Sequence, residues 1–312
     1  MHRIGISGWT YAGWRGVFYP PALPQKRELE HASRVFNSIE INGTHYSLQR
    51  PSSFENWRAA TPNDFVFSVK GSRFITHMKK LRGVEEGLAN FFASGVLALR
   101  DKLGPFLWQF PEMFHYKPER FEGFFKLLPR NTEEALRLAR RRDARMTGRS
   151  RLAIDANRPL RHAIEIRHQS FMNEEFVSLL RQHDIGLVVA DTAGKWPKMF
   201  HVTSGFVYVR LHGDVKIYTS GYSSRALASW ARRIRNWGED GHDVYVYFDN
   251  DVKVRAPFDA LNLMHKLGLA WQPPNEAALP LHPAGVRVPR LKFAYGPRVT
   301  GGNPAWEKLG RR

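Results

Sequence analysis

The segment Gly205–Gly213 (GFVYVRLHG) carries the side chains best suited to chemistry. Apolar residues alternate there with Tyr208, Arg210 and His212, so the polar side chains share one face of a strand. A guanidinium can bind phosphate or carboxylate through two parallel hydrogen bonds, and an imidazole can transfer a proton or ligate a metal. Arg and His at the last inward positions of a strand are typical of the mouth of a parallel barrel, although a half-buried edge strand alternates in the same way.

Seven other segments have strand character, and most carry polar residues near their C-terminal ends. They are Ile4–Trp9, Ser38–Asn42, Phe65–Lys70, Phe106–Phe110, His162–Arg167, Gly186–Asp191 and Val244–Asn250. Helical patterns or long loops separate them. This order predicts an α/β fold, a TIM-type (β/α)8 barrel in a single domain over residues 1–269. A doubly wound open sheet is the alternative, but its strands are buried on both faces and would be more uniformly apolar.

Three local predictions accompany this fold. The apolar periodicity favours a helix over Phe91–Leu99. The short segments Gly43–Ser47 and 71–81 are predicted loops after the second and third strands. An arginine-rich insertion over 137–161 is predicted to be helical in its first half and an exposed loop in its second half.

In a barrel the inward residues at the C-terminal ends of the strands converge on one mouth. The predicted catalytic residues are Glu40, Lys70, Glu165 and His212. The two glutamates would act as general base and acid, Lys70 would hold a developing negative charge or form a Schiff base, and His212 would shuttle protons. The predicted substrate-binding residues are Trp14, Asn42, His77, Gln109, Arg167, Asp191, Arg210, Tyr218 and Asn250.

Two alternatives weigh against this catalytic interpretation. The inward charges could form an ion-pair network that only fills the barrel, although such networks add little net stability. His45, His77, His168 and His212 could instead contribute, with nearby carboxylates, to an all-nitrogen and oxygen metal site. Arg and Lys in the same mouth disfavour a bound cation. We therefore predict no cofactor, with a divalent metal as the weaker alternative.

The composition indicates a basic globular protein. The net charge is +18, the sequence contains no cysteine, and no apolar run is long enough to span a membrane. We expect a cytoplasmic protein without membrane contact, and an anionic partner that includes DNA or RNA. An arginine-rich genome or simple solubility would also account for the charge. The Pro-rich basic segment 270–312 is predicted to be an extended or disordered tail.

Several motifs, in this order, resemble the DUF72 family, also called YecE-like proteins. They are GISGWTYAGWRGVFYP, FNSIEINGTHYSL, FVFSVKGSRFITH, LGPFLWQFP, HAIEIRHQS, FVYVRLHG and VYVYFDND. The resemblance covers roughly residues 3–268 and implies a TIM barrel with a site at its mouth, but no particular reaction. Asp249 departs from the asparagine that is common in the family, and the facing of Asp249 and Asn250 is left open.

Three functions are compatible with these residues. The favoured one is binding of, or action on, a phosphate-containing ligand at the mouth, with nucleic acid preferred and a hydrolase or lyase reaction as the form of catalysis. The second is a metal-independent isomerase or lyase for a small phosphorylated or carboxylated sugar-like substrate. The third is a non-catalytic adaptor for RNA or protein.

Overall fold

The computed structural model describes residues 1–269, and the predicted tail 270–312 lies outside them. Eight parallel strands form a closed barrel in sequence order, which confirms the predicted TIM-type architecture. The strands are β1 His2–Ser7, β2 Ser38–Ile41, β3 Val66–Lys70, β4 Leu103–Gln109, β5 His162–Glu165, β6 Gly186–Asp191, β7 Phe206–Leu211 and β8 Asp243–Phe248.

Alternation along each strand separates two buried layers. Branched residues such as Ile39, Ile41 and Val209 face outward toward the helices and are fully buried. Inside the lower barrel, tyrosine hydroxyls meet serine hydroxyls: Tyr208 lies 2.6 Å from Ser68, and Tyr247 lies 2.7 Å from Ser38. These neutral pairs satisfy the polar groups of the barrel floor without placing a charge there.

Nine α-helices pack around or between the strands in the part of the chain that is described. They are α1 Glu28–Val35, α2 Gly43–Tyr46, α3 Pro51–Ala59, α4 Glu85–Ala93, α5 Pro118–Leu127, α6 Thr132–Ala139, α7 Glu174–Gln182, α8 Ser224–Glu239 and α9 Ala256–Lys266. Side-chain caps begin several of them; for example, Asn173 Oδ1 accepts a hydrogen bond from the Phe176 amide at 2.8 Å. Within residues 1–269 no helix combines the length and hydrophobicity needed to cross a membrane.

Local structure corrects the helix predicted over Phe91–Leu99. The helix is α4, which begins at Glu85 and ends at Ala93, and a 3-10 segment follows over Val96–Lys102. Gly95 stands between them with a φ of 106°, a conformation that stops a helix and that glycine adopts without strain. The apolar run therefore belongs to two elements, which periodicity alone does not separate.

The two predicted loops after β2 and β3 are partly helical. Residues Gly43–Tyr46 form the single-turn helix α2, and Phe74–Met78 form a π-helical turn. Wide turns of this kind occur frequently at functional sites because they re-aim side chains. Here the π-helical turn carries His77 at the C-terminal end of the barrel.

The arginine-rich segment is anchored at the opposite, N-terminal end of the barrel. The Arg151 amide donates to the Ala93 carbonyl at the end of α4, and the Leu160 amide donates to the Arg130 carbonyl after α5. Arg161 pairs at 2.7 Å with Asp243, the first residue of β8. A short ligand in the mouth therefore cannot contact this segment as well.

Gly5 allows the first two strands to approach each other. A β-carbon on Gly5 would lie 1.8 Å from the carbonyl oxygen of Ser38, its partner in β2. We predict that Gly5→Ala lowers the free energy of unfolding by about 2–3 kcal/mol, because the backbone has no room to relax. Gly123→Ala in α5 is the control, since its β-carbon meets open space and should stabilise the helix by about 0.5–1 kcal/mol. Urea unfolding measures both; equal stabilities would contradict this account.

Candidate functional site

Arg210 on β7 is the centre of the barrel interior and is fully buried. Its Nε and Nη2 donate to the two oxygens of Glu40 at 3.1 and 2.9 Å. Its Nη1 donates to Glu165 Oε2 at 2.7 Å, and Nη2 also donates to Asp249 Oδ2 at 2.9 Å. All three guanidinium nitrogens are thus bound by carboxylates from three different strands or strand ends. The predicted role of Arg210 as a direct ligand contact does not fit this arrangement, because no nitrogen is left for a ligand.

Glu40 is satisfied by further donors besides Arg210. The Tyr208 hydroxyl donates to Oε2 at 2.6 Å, and the Ser7 hydroxyl donates to Oε1. Ser7 in turn accepts from Asn42 Nδ2 at 2.9 Å. Glu40 therefore holds β1, β2 and β7 together in the middle of the barrel.

Glu165 on β5 accepts hydrogen bonds from three side chains. Gln109 Nε2 donates to Oε1 at 2.7 Å, and Arg167 Nε donates to the same oxygen at 2.9 Å. Burial opposes ionisation, but Arg210 and Arg167 hold the pKa of Glu165 well below its usual range. Glu165 is ionised at neutral pH, so the predicted general-acid role would require a ligand that first disrupts these ion pairs.

His212 is a neutral imidazole in the same network. Its Nε2 lies 3.4 Å from Arg210 Nη1, and because a guanidinium can only donate, Nε2 accepts and the proton resides on Nδ1. Nδ1 lies 3.0 Å from Asp249 Oδ2 without the alignment of a hydrogen bond. Burial and the neighbouring Arg210 lower the pKa of His212.

Lys70 at the end of β3 differs from every other charge in the interior. Its side chain is buried, with 7% of the residue exposed. Within residues 1–269 its Nζ has neither a hydrogen-bond acceptor nor a carboxylate within 4.0 Å. Burial, followed by the repulsion of Arg210, lowers the pKa of Lys70 to about 8. It is therefore a largely protonated amine with three uncommitted donors at the end of β3.

Arg167 also lies at the C-terminal end of the barrel, two residues beyond Glu165 at the end of β5. Besides its bond to Glu165, its guanidinium carbon lies 3.8 Å from the ring centre of Trp196, a cation–π contact. Its Nη2 lies 3.4 Å from the Tyr218 hydroxyl. In the described part of the chain Nη1 donates no hydrogen bond. Trp196 and Glu165 thus fix the side chain while one terminal nitrogen stays free for a ligand.

Two histidines lie beside Lys70. The rings of His45 and His77 meet edge to face at 5.1 Å. Burial, with a smaller contribution from Lys70, lowers the pKa of His45 to about 2 and that of His77 to about 4. Both are neutral at pH 7, so they add hydrogen-bonding groups to the mouth without adding charge.

The residues after β8 show which of Asp249 and Asn250 faces the barrel interior, a point that the sequence left open. Asp249 faces the network, whereas Asn250 is fully buried behind it and donates to Asp259 Oδ2 at 2.8 Å. Burial and the negative charge of Asp249 raise the pKa of Asp251 well above its usual range. Asp251, close to the ionised Asp249, therefore holds a proton more readily than an ordinary aspartate.

Two further residues predicted to bind substrate have structural partners instead. Trp14 is 1% exposed and packs against Tyr11 and Phe18, so its ring is not a stacking surface. Asp191 accepts from Lys198 at 2.6 Å and from the Trp230 indole at 3.3 Å. The structure thus gives no support to Trp14 or Asp191 as substrate-binding residues, nor to the buried Asn250, because these side chains are buried or paired within the fold.

The sequence did not identify Ser7, Asp251 or Trp196 as residues of the site. Alternation along β1 does place Ser7 on the same inward face as Gly5, so its position could have been predicted. Asp251 and Trp196 lie in segments without periodicity, so nothing in the sequence aims them at the mouth. Within residues 1–269 no three histidine or acidic side chains converge in a geometry that would hold a metal ion.

Removal of Arg210 should expose the cost of the buried carboxylates. We predict that Arg210→Met lowers the free energy of unfolding by about 3–5 kcal/mol, because Glu40, Glu165 and Asp249 lose their counter-ion. Adding Glu40→Gln and Glu165→Gln should restore most of the lost stability, because the unpaired negative charges are removed.

The same cluster predicts a pH dependence. The pKa of Glu165 is depressed in the folded state, so wild-type stability should fall as the pH drops below about 4, and this dependence should weaken in the triple variant. Urea unfolding at several pH values measures these free energies. An Arg210→Met variant as stable as the wild type would contradict the prediction.

Lys70 should cost stability rather than provide it. Its folded-state pKa of about 8 lies below the unfolded value of about 10.4, so the full penalty applies below pH 8 and fades as the pH rises toward 10.4. We predict that Lys70→Met stabilises the protein by about 2–3 kcal/mol at pH 7, and by less at about pH 9.5. A variant less stable than wild type at pH 7 would show that the amine has a structural partner.

Comparisons with known proteins agree with this fold. The family model "Protein of unknown function DUF72" matches residues 3–283. UPF0759 protein YecE of Escherichia coli K12 is 30% identical over 114 residues, which are 36% of this chain and 39% of that protein. UPF0759 protein YunF of Bacillus subtilis is 28% identical over 124 residues, which are 38% of this chain and 43% of that protein. The matched segments thus span less than half the length of these relatives.

Solved structures extend the match over the barrel. A DUF72 family protein from Thermotoga maritima has a TM-score of 0.70 and 26% identity, covering 86% of this chain and 99% of that one. A DUF72 family protein from Enterococcus faecalis, at 19% identity, shares the fold with a TM-score of 0.67, covering 87% and 97% of the two chains. With the family model matched over most of its length, the chain belongs to the DUF72 family.

Proposed function

We propose that the mouth of the barrel binds a phosphate-containing ligand between Lys70 and Arg167. The observation that carries this proposal is the state of Lys70, a buried ammonium without a partner among the described residues. Burying an unpaired charge costs several kcal/mol, so such a group is retained where a counter-ion arrives from outside. A phosphate offers this counter-ion together with several acceptor oxygens.

The surrounding groups favour an anion over a cation. Glu40, Glu165 and Asp249 are held below by Arg210, which leaves the cations Lys70 and Arg167 with uncommitted donors. Glu165 acts as a positioning residue because it holds Arg167, and Gln109 in turn holds Glu165, so neither needs to touch the ligand. Asn42, His77 and Tyr218 supply neutral hydrogen-bonding groups around the rim.

The chemistry that this arrangement supports is cleavage or elimination at a phosphate ester. A leaving oxygen needs a proton donor, and Lys70, whose pKa is lowered to about 8, carries a proton at neutral pH. An isomerase that uses Glu40 and Glu165 as its acid and base is the weaker alternative, since both carboxylates are bound to Arg210.

The test is isothermal titration with inorganic phosphate, AMP and adenosine. We expect AMP to bind and adenosine not to bind, and Lys70→Gln and Arg167→Gln each to weaken AMP binding at least tenfold, the value of one charge-assisted hydrogen bond of about 1.5–3 kcal/mol. Binding should also weaken as the pH rises through about 8, because the pKa of Lys70 lies there. Lys126→Gln, an exposed lysine on α5, is the control. Equal affinity of AMP and adenosine, or no effect of either mouth variant, would refute the proposal.

A further inference from the structure

A groove leads from Arg167 away from the mouth over the outer rim of the barrel. It consists of two adjoining depressions of about 430 and 600 Å³, which share Met172. The segment between β6 and β7, from Gly194 to His201, forms one side. The segment that follows β5, including His168 and the start of α7, forms the other side.

The lining of the groove is basic and partly apolar. Lys195, Lys198 and Arg167 line the groove, and so does the acidic Glu174, which is paired with Arg181 at 2.9 Å. Lys198 is held by Asp191 at 2.6 Å, whereas Lys195 lies 3.7 Å from Glu112 in an exposed pair that leaves its ammonium accessible to a ligand. Two apolar side chains are unusually exposed, Met172 at 56% and Phe200 at 40%. Flexible cations beside exposed apolar surface match a chain that alternates anionic phosphates with flat, apolar-faced bases.

Phe200 extends the groove toward α8. The guanidinium carbon of Arg233 lies 4.1 Å from its ring centre, and the ring of Trp230 lies 6.2 Å away. An arginine held against an aromatic ring presents a planar surface on which a base can stack. The basic line thus continues from Arg167 through Lys195 to Arg233.

From this continuity we infer that the groove binds a single strand of nucleic acid, with the terminal phosphate of the strand between Lys70 and Arg167. The inference rests on the proposed function, since it assigns the phosphate to the same two cations. It adds that the ligand is a polymer, that its end is recognised, and that the next nucleotides lie along the groove.

The recess of Lys70 favours a strand end over a duplex or an internal phosphate. Its amine lies below the rim, with 7% of the residue exposed. A terminal phosphate is attached on one side and can enter such a recess. An internal phosphate carries a sugar on both sides, and the phosphates of a duplex lie on a wide and rigid surface. A flexible single strand can enter the mouth and still follow the groove.

The experiment measures fluorescence anisotropy with oligonucleotides of about six nucleotides, within the usual range of about 4–16 for single-strand sites. The probes are DNA and RNA strands with a 5′-phosphate, a 3′-phosphate or hydroxyl ends, and a blunt hairpin duplex. We expect one phosphorylated end to bind at least tenfold more tightly than the hydroxyl strand, the duplex and AMP. A preference for the 5′ or 3′ end then gives the polarity, and an acidic glutamate peptide should not compete.

The groove variant Lys195→Gln/Phe200→Ala separates this inference from the proposed function. It should weaken oligonucleotide binding at least tenfold and leave AMP binding within twofold, because neither residue contacts the mouth phosphate. Lys126→Gln/Met113→Ala, which alters an exposed lysine and an exposed methionine elsewhere, is the matched control.

The outcomes are distinguishable. If AMP binds but the oligonucleotides bind no more tightly, or if the groove variant has no effect, the groove inference is overturned and the proposed function stands. The inference is also overturned if the hydroxyl strand or the duplex binds as tightly as the phosphorylated strand, or if the acidic peptide competes. If neither AMP nor any phosphorylated strand binds, both fail.

Discussion

The ion-pair cluster around Arg210 is the constraint on which the rest of the barrel interior depends. One fully buried guanidinium bonds to carboxylates from β2, from β5 and from the residue that follows β8. Each carboxylate would be costly to bury alone, so removal of any one of the four charges would leave the others without full compensation. Apolar side chains would fill the same volume at lower cost, which suggests that the cluster is kept for what it positions.

What the cluster positions is a layer of cations above it. The barrel floor contains neutral hydroxyl pairs, the middle contains the compensated charges of Arg210, and the top contains Lys70 and Arg167. Glu165 of the middle layer also accepts from Arg167, but the ammonium of Lys70 and the Nη1 of Arg167 keep donors that no side chain in the described chain occupies. Polarity therefore rises toward the open end, as it does in enzymes built on this fold.

The high net charge does not by itself describe this site. The arginine-rich segment is anchored at the N-terminal end of the barrel, and several of its arginines are paired at the surface, such as Arg158 with Asp155 at 2.6 Å. Surface pairs of this kind contribute little stability. The basic groove beside the mouth contains few charges but places them next to the recess. Position matters more here than the total number of basic residues.

The sequence by itself determined the barrel and most of its inward-facing residues. Strict alternation in segments such as FVYVRL assigns each side chain to one face, because the period of a strand is two. Glu40, Lys70, Glu165, Arg167 and His212 could be placed at the mouth on that basis. Helix boundaries were less certain, as at Gly95, where a single left-handed residue divides one apolar run into two elements.

Only the tertiary structure decided which charges are paired and which are free. Arg210 and Lys70 look alike in the sequence, since each is a cation at an inward position near a strand end. The closure of the barrel brings three carboxylates to Arg210 and none within ion-pairing distance of Lys70 among the described residues. Trp196 and Asp251 reach the mouth from irregular segments that have no period to reveal their facing. Pairing depends on distances between strands that are far apart in the chain, and alternation along one strand carries no information about them.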